Sequence, residues 1–256
     1  MKEKTNHNPI LKLSSKLLDL QKKADIENRK VILGLLEKNK FAKVLDLGCG
    51  DGDFTIEIAK KVGANEVYGI ELYENDIKSA KEKGIRVLRA DLNTTFPFRD
   101  NSFDVVHSNQ VIEHIYNTDG FIREIYRVLK PGGVAIISTI NLASFNNIVF
   151  LILGVQPPTV VVSEEVYIGN RFNPSNWTKR THPFGHVRFY TYDAFKEHFQ
   201  YYGFKVEKYV TVGFYPFSGR IGRLLCKIFR RHSVYLTMKV VKPETEINKG
   251  FAALRF

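Results

Sequence analysis

The run Asp46-Leu47-Gly48-Cys49-Gly50-Asp51-Gly52 holds the residues of this chain best suited to grip a ligand through the backbone. Glycine has no Cβ, so alternate glycines allow a tight turn with positive φ and close approach of a ligand to the main chain. Val44, Leu45 and Leu47 supply an apolar strand before the turn, and Thr55 to Val62 resumes helical spacing after it. Strand, glycine turn and helix in that order form the phosphate-or-nucleoside corner of a doubly wound α/β sheet. A dinucleotide fingerprint requires Gly-x-Gly-x-x-Gly, whereas this chain has Gly48-x-Gly50-x-Gly52, a spacing that disfavours NAD.

Further segments with chemistry follow in order. Val67-Tyr68-Gly69-Ile70-Glu71-Leu72 reads as a second buried strand ending in an acid about 20 residues past the turn, where a carboxylate can accept both hydroxyls of a ribose. Val87-Leu88-Arg89-Ala90-Asp91-Leu92 reads as a third strand ending in Asp91. Phe96 to Val106 leads into a fourth strand and then Asn109-Gln110-Val111-Ile112-Glu113-His114-Ile115. Arg127-Val128-Leu129-Lys130-Pro131-Gly132-Gly133 reads as a helix end and a proline-glycine turn before a strand from Val134 to Thr139.

This ordered set resembles the class I S-adenosylmethionine (SAM)-dependent methyltransferases, most closely the small-molecule subgroup that includes the ubiquinone-type O-methyltransferases. The resemblance spans about residues 25 to 210. It implies that Asp46, Gly48, Cys49 and Gly50 hold the methionine part of SAM, that Glu71 binds the ribose, and that Asp91 accepts from the adenine amino group while Leu92 lines the ring. Leu72 and Asn109 complete the implied cofactor set, with S-adenosylhomocysteine as the product. Each residue also has a plainer use: the glycines as turn punctuation, Glu71 and Asp91 as helix caps, Asp46 as a satisfied buried acid. Cys49 packs as a small residue in that slot, with no base spaced beside it to make it a nucleophile.

Methyl transfer asks only for positioning and a modest base, because the sulfonium methyl is already electrophilic. By resemblance Glu113, His114 and His186 are the catalytic candidates, and capping of the following helix by Glu113 and His114 is the alternative. Some relatives bind a divalent ion through Glu-x-x-Glu-His and a later histidine. Here the first position is Gln110, which removes a charged ligand, and His182 and His186 form a loop pair around Pro183 and Gly185; no metal is expected, although Glu113, His114 and either His182 or His186 could still supply three ligands.

The chain has 256 residues, enough for one full core, and reads as a single domain over 1–256. Its two cysteines, Cys49 and Cys226, suggest neither a disulfide framework nor a zinc site. A polar, lysine-rich start and the absence of any run of membrane-spanning length point to a cytoplasmic protein. The net charge of +11 invites a nucleic-acid reading. Against it, Ser108-Asn109-Gln110-Val111 is not the Pro-Pro-aromatic motif of amine-directed DNA methyltransferases, Pro157-Pro158 lies elsewhere, and neither cysteine follows a proline. An RNA hydroxyl acceptor stays open. Arg220 to Arg231 is an amphipathic basic helix with Ile221, Leu224, Leu225, Ile228 and Phe229 on one stripe and Arg220, Arg223, Lys227, Arg230 and Arg231 on the remaining face. Such a stripe ordinarily packs on a core; otherwise it is a membrane-surface helix.

The elements that position these residues follow from the pattern. A helical segment within 1–40 (Leu11 to Lys23, then Asp25 to Lys38 with Asp25 as N-cap) precedes five strand-helix alternations. The fold class is α/β: a Rossmann-like doubly wound sheet, mostly parallel, with helices on both faces. Gly203 to Val210 and Val234 to Val241 read as the closing antiparallel pair that the resembled family appends. Residues 141–186, long and aromatic-rich with Tyr167, Phe172 and Trp177, read as a lid over a methyl acceptor. The expected function is SAM-dependent methyl transfer to a small molecule, amphiphilic or prenylated in character. Oxygen is the favoured atom, and nitrogen and carbon stay open. An RNA methyltransferase or a noncatalytic SAM-binding protein is the alternative.

Overall fold

The computed structural model describes residues 9–163, 165–170 and 185–244, so Phe172, Trp177 and His182 lie outside the described residues. The chain divides into two compact units. One, the sheet unit, comprises 33–138, 193–209 and the residues from 238 onward; the second comprises the residues up to 32, 139–192 and 210–237.

Seven strands run in chain order as β1 (Lys43–Leu47), β2 (Glu66–Glu71), β3 (Arg86–Arg89), β4 (Phe103–Asn109), β5 (Leu129–Ile140), β6 (Lys205–Val212) and β7 (Tyr235–Val241). The helices are α1 (Pro9–Leu35), α2 (Asp53–Val62), α3 (Glu74–Glu82), α4 (Thr118–Val128), α5 (Phe145–Ile152), α6 (Tyr192–Tyr201) and α7 (Gly219–Ile228). All seven strands contribute to one sheet in the order β3-β2-β1-β4-β5-β7-β6. β1 is parallel to β2 and β4, β2 to β3, and β4 to β5. The Gly132 amide donates to the Lys242 carbonyl and the Asn141 amide to the Val234 carbonyl, two contacts that descend along one strand as they ascend the other, so β7 runs antiparallel to β5. The expected Rossmann-like sheet is thus present.

The core explains the strands. Val44, Leu45, Leu47, Ile70, Val106, Ile136 and Ile137 are fully buried, giving central strands that are apolar almost throughout, as a sheet covered on both faces requires. Edge strand β3 instead carries exposed Arg86 and Arg89, charges that discourage pairing with another chain. Inside the sheet unit Lys239 of β7 is buried, with its ammonium 2.5 Å from Glu37 and 3.1 Å from Glu207. Burial opposes its charge, yet the two carboxylates hold its pKa above the ordinary lysine value.

Four expectations are corrected. Residues 9–35 form one helix without a break, and Asp25 does not cap it; its carboxylate accepts from the buried Tyr235 hydroxyl, while one turn on Asn28 accepts from Thr237 at 2.7 Å. No helix-breaking residue stands between the two expected segments, so the helix continues and Asp25 serves packing. Pro131-Gly132-Gly133 is not a free turn but the start of β5, stitched to the residue after β7 by reciprocal bonds of 2.8 and 2.9 Å with Lys242. The link from β3 to β4 carries no helix, so the alternation is interrupted there. Residues 90–102 are rich in turn formers and wrap around Arg127. Its guanidinium donates to the carbonyls of Phe96 at 3.0 Å and Phe98 at 2.8 Å and to Asp100 at 2.8 Å. Finally, the apolar stripe of α7 does not face a core: Gly222 and Cys226 are buried, and Ile221, Leu224, Ile228 and Phe229 are exposed.

Candidate cofactor site

In the sheet unit the chain moves from β1 outward through β2 to β3, then returns to β4 on the other side of β1. Strand order therefore reverses between β1 and β4, and a ligand crevice is expected outside the carboxyl ends of the strands at that point. The residues singled out from sequence gather there. The glycine turn leaves the end of β1, with Gly48, Gly50 and Gly52 at φ values of 72°, 53° and 85°. A Cβ on Gly48 would strike Val111 at 2.7 Å, whereas one on Gly50 would meet nothing within 4 Å. Gly48 is thus required by packing, and Gly50 faces open space. The turn is tied down by the amides of Gly48 and Cys49, which both donate to the Ile70 carbonyl at the end of β2, at 2.9 and 3.2 Å.

Glu71 ends β2, and its buried carboxylate accepts from the Gly50 amide at 2.9 Å, the Leu72 amide at 2.7 Å and the Tyr73 amide at 3.1 Å. Three backbone donors fix its orientation beside the glycine turn, two on Oε1 and one on Oε2, and leave about one of the carboxylate's four acceptor sites, on Oε2, for a ligand. Helix α3 starts at Glu74 with Tyr73 as its N-cap, so Glu71 is not its cap. Leu72 and Tyr73 are exposed.

Asp46 sits deeper. β1 and β4 place it directly opposite His107, whose Nδ1 lies 2.7 Å from one carboxylate oxygen, while the Thr55 hydroxyl donates at 2.5 Å to the other. All three are buried, and Phe54 meets the His107 ring edge-on at 5.4 Å. Asp46 therefore clamps β1 to β4 and to the first turn of α2. Sequence reasoning missed His107 and Thr55; a histidine inside the apolar run Val105-Val106-His107 was the available signal. Cys49 is buried with Ile77, Ala80, Ile85 and Val87, and burial first, then the charges of Asp46 and Glu71, pushes its thiol up to about 12. It is a packing residue, kept from acting as a thiolate.

Asp91 lies in the turn after β3, exposed, with its carboxylate accepting from the Asn93 amide at 2.9 Å; Leu92 is buried beside it. Asn93 in turn accepts from the Tyr116 amide at 2.8 Å, which pins this turn to the segment after β4. Asn109 ends β4, and Gln110 follows with φ 58°, a left-handed conformation that costs a non-glycine residue about 1–3 kcal/mol and is typical of functional turns. His107 Nε2, Ser108 Oγ and Gln110 Nε2 are buried with no hydrogen-bond partner among the described residues. Orphaned polar atoms at one strand end are what a site for a polar ligand leaves. Glu113 is buried and His114 half-buried on a single 3-10 turn, Ile112–His114. His186 belongs to the second unit, its Nδ1 2.9 Å from the Thr159 carbonyl.

Switch point, glycine turn and acid at the end of β2 together define the class: a Rossmann-like doubly wound sheet with a ligand crevice at its switch point. Residues 45–137 match the family model described as "Methyltransferase domain". A demethylmenaquinone methyltransferase of Listeria monocytogenes is 36% identical over 121 residues, covering 43% of this chain and 50% of that protein. One from Staphylococcus carnosus is 36% identical over 114 residues, covering 42% and 47%. The chain thus spans about half the length of the curated relatives it matches. Among solved structures, a SAM-dependent methyltransferase from Thermotoga maritima aligns with a TM-score of 0.60 at 17% identity, covering 87% of this chain and 91% of that one. An S-adenosylmethionine-dependent methyltransferase from Mesorhizobium loti aligns at 0.58 and 20% identity, covering 87% and 99%. These two likenesses concern the fold.

Proposed function

We propose that the protein transfers a methyl group from SAM to a small amphiphilic acceptor of the quinol type. The observation that carries the reading is the Glu71 carboxylate, held by three backbone amides at the end of β2 beside the open face of Gly50. A carboxylate so fixed, with an acceptor position left on Oε2, suits a hydroxyl of a ribose, and the glycine turn suits the aminoacyl part of the cofactor. SAM supplies an electrophilic sulfonium methyl. An acceptor atom forms its bond to that carbon as the carbon-sulfur bond breaks, S-adenosylhomocysteine leaves, and the acceptor's proton goes to a base. Glu113, His114 and His186 are the base candidates, and residues 141–186 the acceptor lid.

The acceptor class rests on the relatives, whose name specifies demethylmenaquinone, and on the apolar run of α5 at the start of the lid. That name shifts the target atom from the oxygen favoured by the sequence towards a ring carbon. The test is incubation with methyl-labelled SAM and a panel of demethylquinols, catechols and RNA. Label should enter a quinol, and NMR of the product assigns carbon or oxygen. Label in RNA alone, or cofactor binding without transfer to any acceptor, would overturn the reading.

A further inference from the structure

In the second unit, α7 carries an outward-facing surface that the methyl-transfer reading does not use. Helix α7 sits on its unit through Gly222 and Cys226. At 3.6 residues per turn the other positions divide the solvent side in two. Ile221, Leu224 and Ile228 fall within one sector of roughly 60°, and they are 62%, 56% and 62% exposed. The adjoining sector holds Arg220, Arg223 and Lys227, all exposed, and the chain continues into exposed Arg230 and Arg231. Apolar residues also face outward from α5 in the same unit: Leu151, Ile152 and Leu153 are exposed, Ile152 at 79%. The two helices are joined by aromatic contacts, Phe145 stacking on Phe214 at 5.3 Å and Phe214 meeting Phe229 at 6.3 Å. At the end of α7, Tyr192 and residues Lys227 to His232 line an open cavity of about 460 Å³.

Exposed branched aliphatic side chains cost solubility and are not left in water by ordinary core packing. A helix that buries a glycine and a cysteine and half-buries Leu225, and offers water one apolar flank and one cationic flank, has the charge pattern of a helix lying in a membrane interface. We infer that α7, with the apolar end of α5, docks the protein on an anionic lipid bilayer surface. Ile221, Leu224 and Ile228 enter the acyl boundary. Arg220 and Lys227 meet headgroup phosphates, with Arg223, paired to Glu27 at 3.5 Å, beside them. Charge complementarity selects this occupant, because an anionic headgroup layer satisfies both flanks at once. The inference is independent of the methyl-transfer reading, and its test uses no acceptor.

The experiment is flotation of the full chain with vesicles of phosphatidylglycerol and phosphatidylcholine against vesicles of phosphatidylcholine alone. Wild type should float with the first, weakly with the second, and less as salt rises. Arg220→Gln with Lys227→Gln should lose about fivefold per charge, roughly twenty-fivefold together. Leu224→Asp should lose more than about tenfold. Since all three positions are exposed, each variant should keep the wild-type melting temperature, which separates lost docking from lost folding. Failure of wild type to float, or unchanged flotation of both variants, would overturn the inference. A concentration-dependent dimer that Leu224→Asp dissolves would also overturn it, by assigning the face to a second copy of the chain.

Discussion

At the scale of single residues, acids that look alike in sequence do different work. Asp46 inside β1 and Glu71 at the end of β2 are both buried, but Asp46 has its oxygens engaged by Thr55 and His107, and Glu71 has only backbone amides on it. Glu71→Ala should therefore weaken S-adenosylhomocysteine binding by about 2 kcal/mol, roughly thirtyfold, by removing a charged hydrogen-bonding partner. Titration calorimetry beside a thermal melt checks it: a lowered melting temperature with unchanged affinity would reduce Glu71 to a fastener of the glycine turn. Glu71 was legible because its type and its distance from the turn coincide. His107 was not, because a histidine in an apolar strand declares itself only when register sets it opposite an acid, and Gln110 was not, because nothing in its side chain announces a left-handed backbone.

At the scale of elements, the regular strands and α2 were legible from apolar runs and glycine punctuation, and the irregular link from β3 to β4 was not. Its form depends on a partner on α4, about 30 residues away, where Glu124 accepts from the Phe96 amide at 2.7 Å and pairs with Arg127 at 2.6 Å. Burial opposes ionisation of Glu124, but the hydrogen bonds of Arg127 and the Phe96 amide outweigh it and hold the pKa below the usual 4.5. A lowered carboxylate pKa contributes stability that is present above the unfolded value and lost as pH falls through the folded one. Glu124→Gln should thus be about 1–2 kcal/mol less stable at neutral pH, and the gap to wild type should close as pH drops below about 4.5, as followed by urea melts across that range. A constant gap at all pH values would show that the pair contributes shape and not charge. α7 illustrates the opposite limit: its amphipathic period was legible, but periodicity does not say which face is buried, and here a glycine and a cysteine took the inside.

At the scale of the whole molecule, among the described residues no helix is long and apolar enough to cross a membrane. Part of the net charge of +11 sits on α7, where basic residues adjoin exposed aliphatic ones, so a basic surface need not imply nucleic acid. The alternation of apolar strands with helices, and hence a mostly parallel sheet, followed from the sequence pattern, and the antiparallel closing pair from the family resemblance, whereas the strand order and the switch point between β1 and β4 emerge only in the fold. The acceptor was not legible, since its specificity depends on side chains brought together only by folding. The decisive measurement is isothermal titration of the full chain with SAM and with S-adenosylhomocysteine. Saturable binding of both at one site, at micromolar concentration and weakened by Glu71→Ala, is expected. No heat of binding for either at millimolar ligand would mean that the glycine turn only joins β1 to α2, and the methyl-transfer function would fall with it.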